Sequence, residues 1–191
     1  MKSRALFIVN SAFQMIAAVQ LRLTVFKNSC ADIIVTDDIA QYKSLQNKIK
    51  DSKTFDNVYT MLVKDYNWKN WKFASLGILY DKEIKKRIPN IIEQHYDSYL
   101  FCNFDGAAVC IGAYLKRKQN TELMMFEDGF ASYSDFWKGW LEQSFRPKRP
   151  IDRLLYAYMK STPYYVTKYY VFNPELLSDW EIPFSIEKIE K

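Results

Sequence analysis

The chain predicts an α/β fold, a three-layer, doubly wound parallel sheet of Rossmann-like type, and three observations carry that prediction. Short β-prone apolar runs alternate five times with helical periodicity, over connections long enough to cross between parallel strands. Leu123-Met124-Met125-Phe126 is apolar at every position, as in a strand buried on both faces, and is too short for a helix. Three of the runs stop on polar or acidic groups: Asn10-Ser11, Asn103 with Asp105, and Glu127-Asp128. In a parallel sheet those ends share the carboxyl edge, where open α/β folds hold their ligands.

Taken in order, Ala5 to Val9 is the first strand, and Asn10-Ser11 is a turn whose side chains can accept hydrogen bonds from the free N–H groups of the next helix. From Ala12 to about Phe26, Phe13, Ile16, Ala17, Val19 or Gln20, Leu23 and Phe26 form a stripe expected to face the sheet. Ala31 to Thr36 is the second strand, closed by Asp37-Asp38, and Ile39 to Lys50 reads as a Lys-rich helix. Asn57 to Val63 is a third strand. The aromatic loop Tyr66 to Trp71 leads into a helix reaching about Arg87, which Pro89 interrupts. Tyr99 to Asn103 is the fourth strand, and Ala107 to Lys118 is a helix with a basic last turn that suits its dipole. After the fifth strand, Phe130 to Gln143 is aromatic and helical, Arg146 to Pro150 breaks it, and Ile151 to Lys160 is a further helix. Tyr164 to Phe172 is β-prone and supplies a sixth strand.

Composition narrows the classes. A length of 191 residues, 49% hydrophobic and poor in Gly and Pro, suits one large globular domain and excludes disordered or fibrous chains. The net charge of +5 is compatible with nucleotides, anionic sugars or an acidic membrane surface without selecting among them. Cys30, Cys102 and Cys110 lack the paired spacing of a zinc site and read as buried thiols of a cytosolic protein. The apolar run after Arg4 is too short for a signal peptide, and no stretch approaches the roughly 18 to 20 apolar residues that span a bilayer.

Adjacent carboxylates at a strand end, Glu127 and Asp128, can supply a general base, since each other's charge and burial poise one of them; a solvated turn has the same spacing. A metal would need more oxygen ligands, from Asp37-Asp38 or Asp105. No G-x-G-x-x-G, P-loop or G-x-S-x-G pattern is present, which disfavours a dinucleotide dehydrogenase, a P-loop enzyme and an α/β hydrolase. His95, the single histidine, is expected at the surface, which removes the base of Ser–His or Cys–His catalysis. Arg146, Lys148, Arg149 and Arg153, after Trp137 and Trp140, read as a solvated basic loop beside core tryptophans, or as a contact for an anionic membrane or acidic acceptor. No nucleic-acid motif accompanies them.

Leu6 to Gln14, Tyr99 to Asn103 and above all Phe126-Glu127-Asp128-Gly129-Phe130-Ala131-Ser132-Tyr133 resemble the N-terminal half of bacterial sialyltransferases and capsular polysaccharide glycosyltransferases. Glycosyltransferase family 52 is the nearest group, with the polysialyltransferases as relatives, and the resemblance runs from about Leu6 to Phe172. It implies one of the two facing Rossmann-like domains of a metal-free GT-B enzyme in capsular polysaccharide or lipooligosaccharide assembly. Asp128 would deprotonate the acceptor hydroxyl as it attacks the anomeric carbon of a CMP-sugar, a substrate and not a cofactor. Glu127 and Gly129 would shape that corner, and Asn10, Ser11 and Gln14 would line the cleft. Asn103 and Asp105 join them as candidate substrate-binding residues at the fourth strand's end.

The family's His-Pro motif, which handles CMP in the second domain, has no counterpart, because His95 precedes Tyr96. The expectation is therefore an acceptor-side domain over residues 1–172, with 173–191 a tail or the start of an absent donor-binding domain. A partner chain could supply that half, and exposed aromatics could drive homodimerisation. The location expected is cytoplasmic, peripheral at the inner face of the bacterial membrane. The alternative is a non-catalytic domain that binds a glycan or a partner protein.

Overall fold

The computed structural model describes residues 2–63, 85–86, 88–103, 106–145 and 165–190. The aromatic loop Tyr66 to Trp71, nearly all of the helix after it, Asp105, the cluster from Arg146 to Arg153 and the helix expected over 151–160 lie outside them. Strands β1 (Arg4–Val9), β2 (Cys30–Thr36), β3 (Asn57–Met61), β4 (Ser98–Phe101), β5 (Glu122–Phe126), β6 (Val166–Val171) and β7 (Ser185–Lys188) form one sheet. Its order is β3-β2-β1-β4-β5-β6-β7, and every pairing is parallel. The order reverses direction between β1 and β4. That is the topological switch point of a doubly wound sheet, where the crossovers diverge and leave a crevice.

Helices cover both faces, which is why the central strands are apolar beyond their first residues, Asp32 and Thr36 apart. On one face, α1 (Ala12–Leu23) and α2 (Tyr42–Ser52) pack against Phe7, Val9, Ile33, Val35, Leu100, Met124 and Phe126. On the other, α3 (Pro89–Glu93), α4 (Gly106–Gln119) and α5 (Asp135–Phe145) pack against Leu6, Ile8, Ile34, Tyr99, Phe101, Leu123 and Met125. Within Leu123–Phe126, alternate residues therefore enter alternate cores, as a strand's period of two requires. The Phe7 ring meets Phe26, Phe55 and Phe126 edge to face at 5.6, 5.5 and 6.2 Å, the geometry that aromatic quadrupoles favour.

Three expectations need correction. The face of α1 that meets the sheet carries Gln14, Met15, Ala17, Ala18 and Leu21, while Phe13, Ile16 and Leu23 of the expected stripe are exposed. Small side chains at 17 and 18 let the helix approach the sheet closely, and that outweighs the size of the apolar residues on the other face. No strand is expected after Phe172, yet that segment supplies β7, which pairs with β6 from Lys168↔Ser185 to Val171↔Lys188. The helix expected from Phe130 opens instead with a 3-10 turn, Gly129–Tyr133, and α5 begins only at Asp135.

Candidate active site

The site lies at the carboxyl edge, where β1, β4 and β5 end side by side. Ser11 caps α1: its backbone is extended and its hydroxyl accepts a hydrogen bond from Gln14 N at 3.2 Å. Gln14 is on the buried face one turn in, 2% exposed, and both ends of its amide are used. Its Oε1 accepts from Asn10 N at 2.8 Å, and its Nε2 donates to Asp128 Oδ1 at 2.6 Å. From the end of β4, Asn103 Nδ2 donates to Asp128 Oδ2 at 3.2 Å. The half-buried Asp128 thus receives one side-chain amide on each oxygen, from the two strand ends that flank the switch point.

Its backbone is held as firmly. Asp128 N donates to the buried Ser132 Oγ at 2.6 Å across the 3-10 turn. Gly129 has φ +74°, the left-handed region that side chains rarely adopt, and a Cβ there would lie 3.4 Å from the Phe13 ring. Glycine lets the chain turn away from β5 directly behind the carboxylate while Phe13 packs against it.

Glu127 is built differently although it is adjacent. It is 3% exposed, and its Oε2 accepts from Phe172 N at 2.8 Å and from the Tyr133 hydroxyl. The Tyr133 oxygen in turn accepts from Asn173 N at 3.1 Å. Glu127 therefore ties the end of β5 to the end of β6 and to the 3-10 turn. Burial, then the hydrogen bond to Glu127, pushes the Tyr133 phenol up to about 12. Burial likewise raises Tyr169, which accepts from Trp137 Nε1 at 3.3 Å, so these phenols stay protonated at neutral pH.

Asn10, Ser11, Gln14, Asn103, Glu127, Asp128 and Gly129 are thus one cluster, and Asp105 lies outside the described residues. Asp37 is at the end of β2 and accepts from Val63 N at 2.5 Å, with Asp38 exposed beside it. His95 is exposed and precedes β4, at the opposite edge from Asp128, with Asp97 3.8 Å away. Cys102 and Cys110 are buried, Cys30 is half-buried, and all three are free thiols. Among the described residues, no three His, Cys, Asp or Glu side chains cluster as a metal site would require, and no helix is long and apolar enough to cross a membrane. Sequence reasoning assigned no role to Ser132 or Tyr133; the signal was there in two adjacent hydroxyls, one four residues beyond Asp128 and the other six beyond Glu127, inside an otherwise apolar turn.

Fold and site together define a Rossmann-like α/β domain with a clamped carboxylate at the carboxyl edge of the sheet, beside the switch point. The family model for alpha-2,8-polysialyltransferase (POLYST) matches residues 5–189, and the chain belongs to that family, a sialyltransferase-like group of glycosyltransferases. That range takes in all of the sheet from β1 to β7 except Arg4, the first residue of β1. A search of curated proteins gives no match.

Proposed function

We propose that the protein transfers a sialic acid residue from a CMP-activated donor to a hydroxyl of a glycan acceptor, with Asp128 as general base. The observation that carries this reading is the clamp on Asp128, which fixes the carboxylate at a ligand-binding edge while leaving acceptor capacity unspent. A carboxylate offers about four lone-pair sites, and side-chain amides engage one on each oxygen. A remaining lone pair takes the proton of the acceptor hydroxyl as its oxygen bonds to the anomeric carbon. The bond from that carbon to the CMP phosphate breaks, and CMP leaves with the electron pair. Membership of a family described as alpha-2,8-polysialyltransferase supports the choice of sugar.

In this reading Glu127 braces the corner and Gly129 gives it its turn. Asn10 and Ser11 border the crevice, and the acceptor is a sialylated glycan of capsular polysaccharide or lipooligosaccharide assembled at the cytoplasmic face of the membrane. The CMP moiety is held by a second lobe opposite Asp128, as a GT-B arrangement requires.

The test is acceptor-dependent release of CMP from CMP-sialic acid, with lactose-type and α2,8-sialylated acceptors, by the enzyme with that second lobe present, wild type beside Asp128→Asn. Loss of a positioned base should lower the rate about 10²- to 10⁴-fold. Retention of the full rate by the variant would sink the assignment.

A further inference from the structure

We infer that Gln14 is a positioning residue that acts through Asp128, holding the carboxylate in its working orientation from the first turn of α1; the inference rests on Asp128 being the base. Three contacts fix this side chain: its backbone N–H on Ser11 Oγ at 3.2 Å, its Oε1 on Asn10 N at 2.8 Å, and its Nε2 on Asp128 Oδ1 at 2.6 Å. They leave one orientation for the amide. Turning it over would set its NH₂ against the Asn10 N–H and its oxygen against a carboxylate oxygen, replacing two attractions by two repulsions.

The amide is therefore a one-way connector. Asn10 N–H orients the oxygen, and the same plane then aims an N–H at Oδ1. Burial to 2% exposure keeps water from competing for either end. Asn103 reaches the other oxygen at 3.2 Å, the longer bond of the pair, so the shorter and more buried Gln14 contact sets the rotation of the carboxylate. Catalysis by a base depends on its lone pair meeting the substrate proton within hydrogen-bond reach, and a carboxylate free to rotate meets it less often.

The experiment is a double-mutant cycle on acceptor-dependent CMP release, using Gln14→Met, which keeps length and bulk and removes both polar ends, with Asp128→Asn. A residue that acts only through Asp128 should lower kcat about 10- to 100-fold in the wild-type background, with acceptor KM unchanged, and less than about threefold once Asp128 is Asn. Equal losses in both backgrounds would show general damage to the fold and overturn the inference while leaving Asp128 as base. A full rate in Gln14→Met would do the same. A full rate in Asp128→Asn would remove the base reading and this inference with it.

A second measurement does not depend on turnover. In the ¹H,¹⁵N spectrum of the intact chain, the Gln14 side-chain amide, identified by its loss in Gln14→Met, should have one proton displaced downfield by the short bond to Oδ1. It should return to an ordinary position in Asp128→Ala. No displacement in the wild type would overturn the inference.

Discussion

Two neighbouring acids divide the labour of the site because a strand end sends consecutive side chains in different directions. Glu127 turns inward to a backbone N–H and a phenol, and Asp128 turns to two amides at the crevice. The inward set has its own pH signature. An unfolded tyrosine loses its proton near pH 10, whereas Tyr133 holds it to about 12 in the fold. Stability contributed by this phenol is therefore fully present below pH 10 and is lost as pH rises towards 12. Tyr133→Phe should remove that part of the alkaline decline. At neutral pH it should also cost about 1–3 kcal/mol, because the buried Glu127 carboxylate loses one of its two donors. Urea unfolding at neutral pH and again between about pH 10 and 12 tests both halves, from the unfolded tyrosine reference to the folded value. A variant as stable as the wild type at neutral pH would mean that Oε2 finds an equal partner in water.

At the scale of elements, α1 both covers the sheet and holds the Asp128 carboxylate, and the two tasks divide its circumference. Ala17 and Ala18 are fully buried, and Ile16 is 63% exposed. Ala18→Leu should overpack the contact with the sheet and cost about 1–3 kcal/mol. Ile16→Lys should change stability by less than about 0.5 kcal/mol. Thermal unfolding of the two variants decides it, and equal losses would mean that the exposed stripe is packed after all. The same helix marks where sequence reading stopped. Apolar periodicity weighs side chains by hydrophobicity, so Phe13, Ile16 and Leu23 outweighed Gln14 and Ala18, yet the close fit to the sheet needs small residues and the Asp128 carboxylate is held by a buried amide. Strand β7 was missed for the opposite reason. Of Ser185-Ile186-Glu187-Lys188 only one residue is apolar, because an edge strand is held by backbone pairing on one side and carries little pattern. The inner strands were legible because both of their faces are buried. The cluster of Asn10, Ser11, Asn103, Glu127 and Asp128 was legible because a parallel sheet gathers its carboxyl ends on one edge. The hydrogen bonds that set Glu127 and Asp128 apart depend on side-chain directions that spacing does not encode.

Across the whole molecule, the parallel sheet separates stability from chemistry by setting the starts of its strands opposite their ends. The amino edge has its own buried polar knot. Asp32 is fully buried and accepts from Arg4 Nη1 at 2.9 Å, Tyr96 OH at 2.7 Å and Asn57 Nδ2 at 2.9 Å, joining β1, β2, β3 and the approach to β4. Burial, and next the charge of Asp32, hold the Tyr96 phenol protonated far above its usual range. Removing the acid alone strands an Arg and two donors that were placed for it. Asp32→Ala should therefore cost about 3–5 kcal/mol in urea unfolding, among the largest losses from one substitution in this chain. What folded protein remains should turn over at nearly the wild-type rate per folded molecule, because Asp128 and its clamp lie at the far end of the strands. Rate and stability falling together, after correction for the folded fraction, would mean that the two edges are coupled through β1, the strand that begins at Arg4 beside Asp32 and ends beside Asn10 in the clamp. Independent behaviour would make the sheet a rigid spacer, with its ionic knot at one edge and its clamped carboxylate at the other.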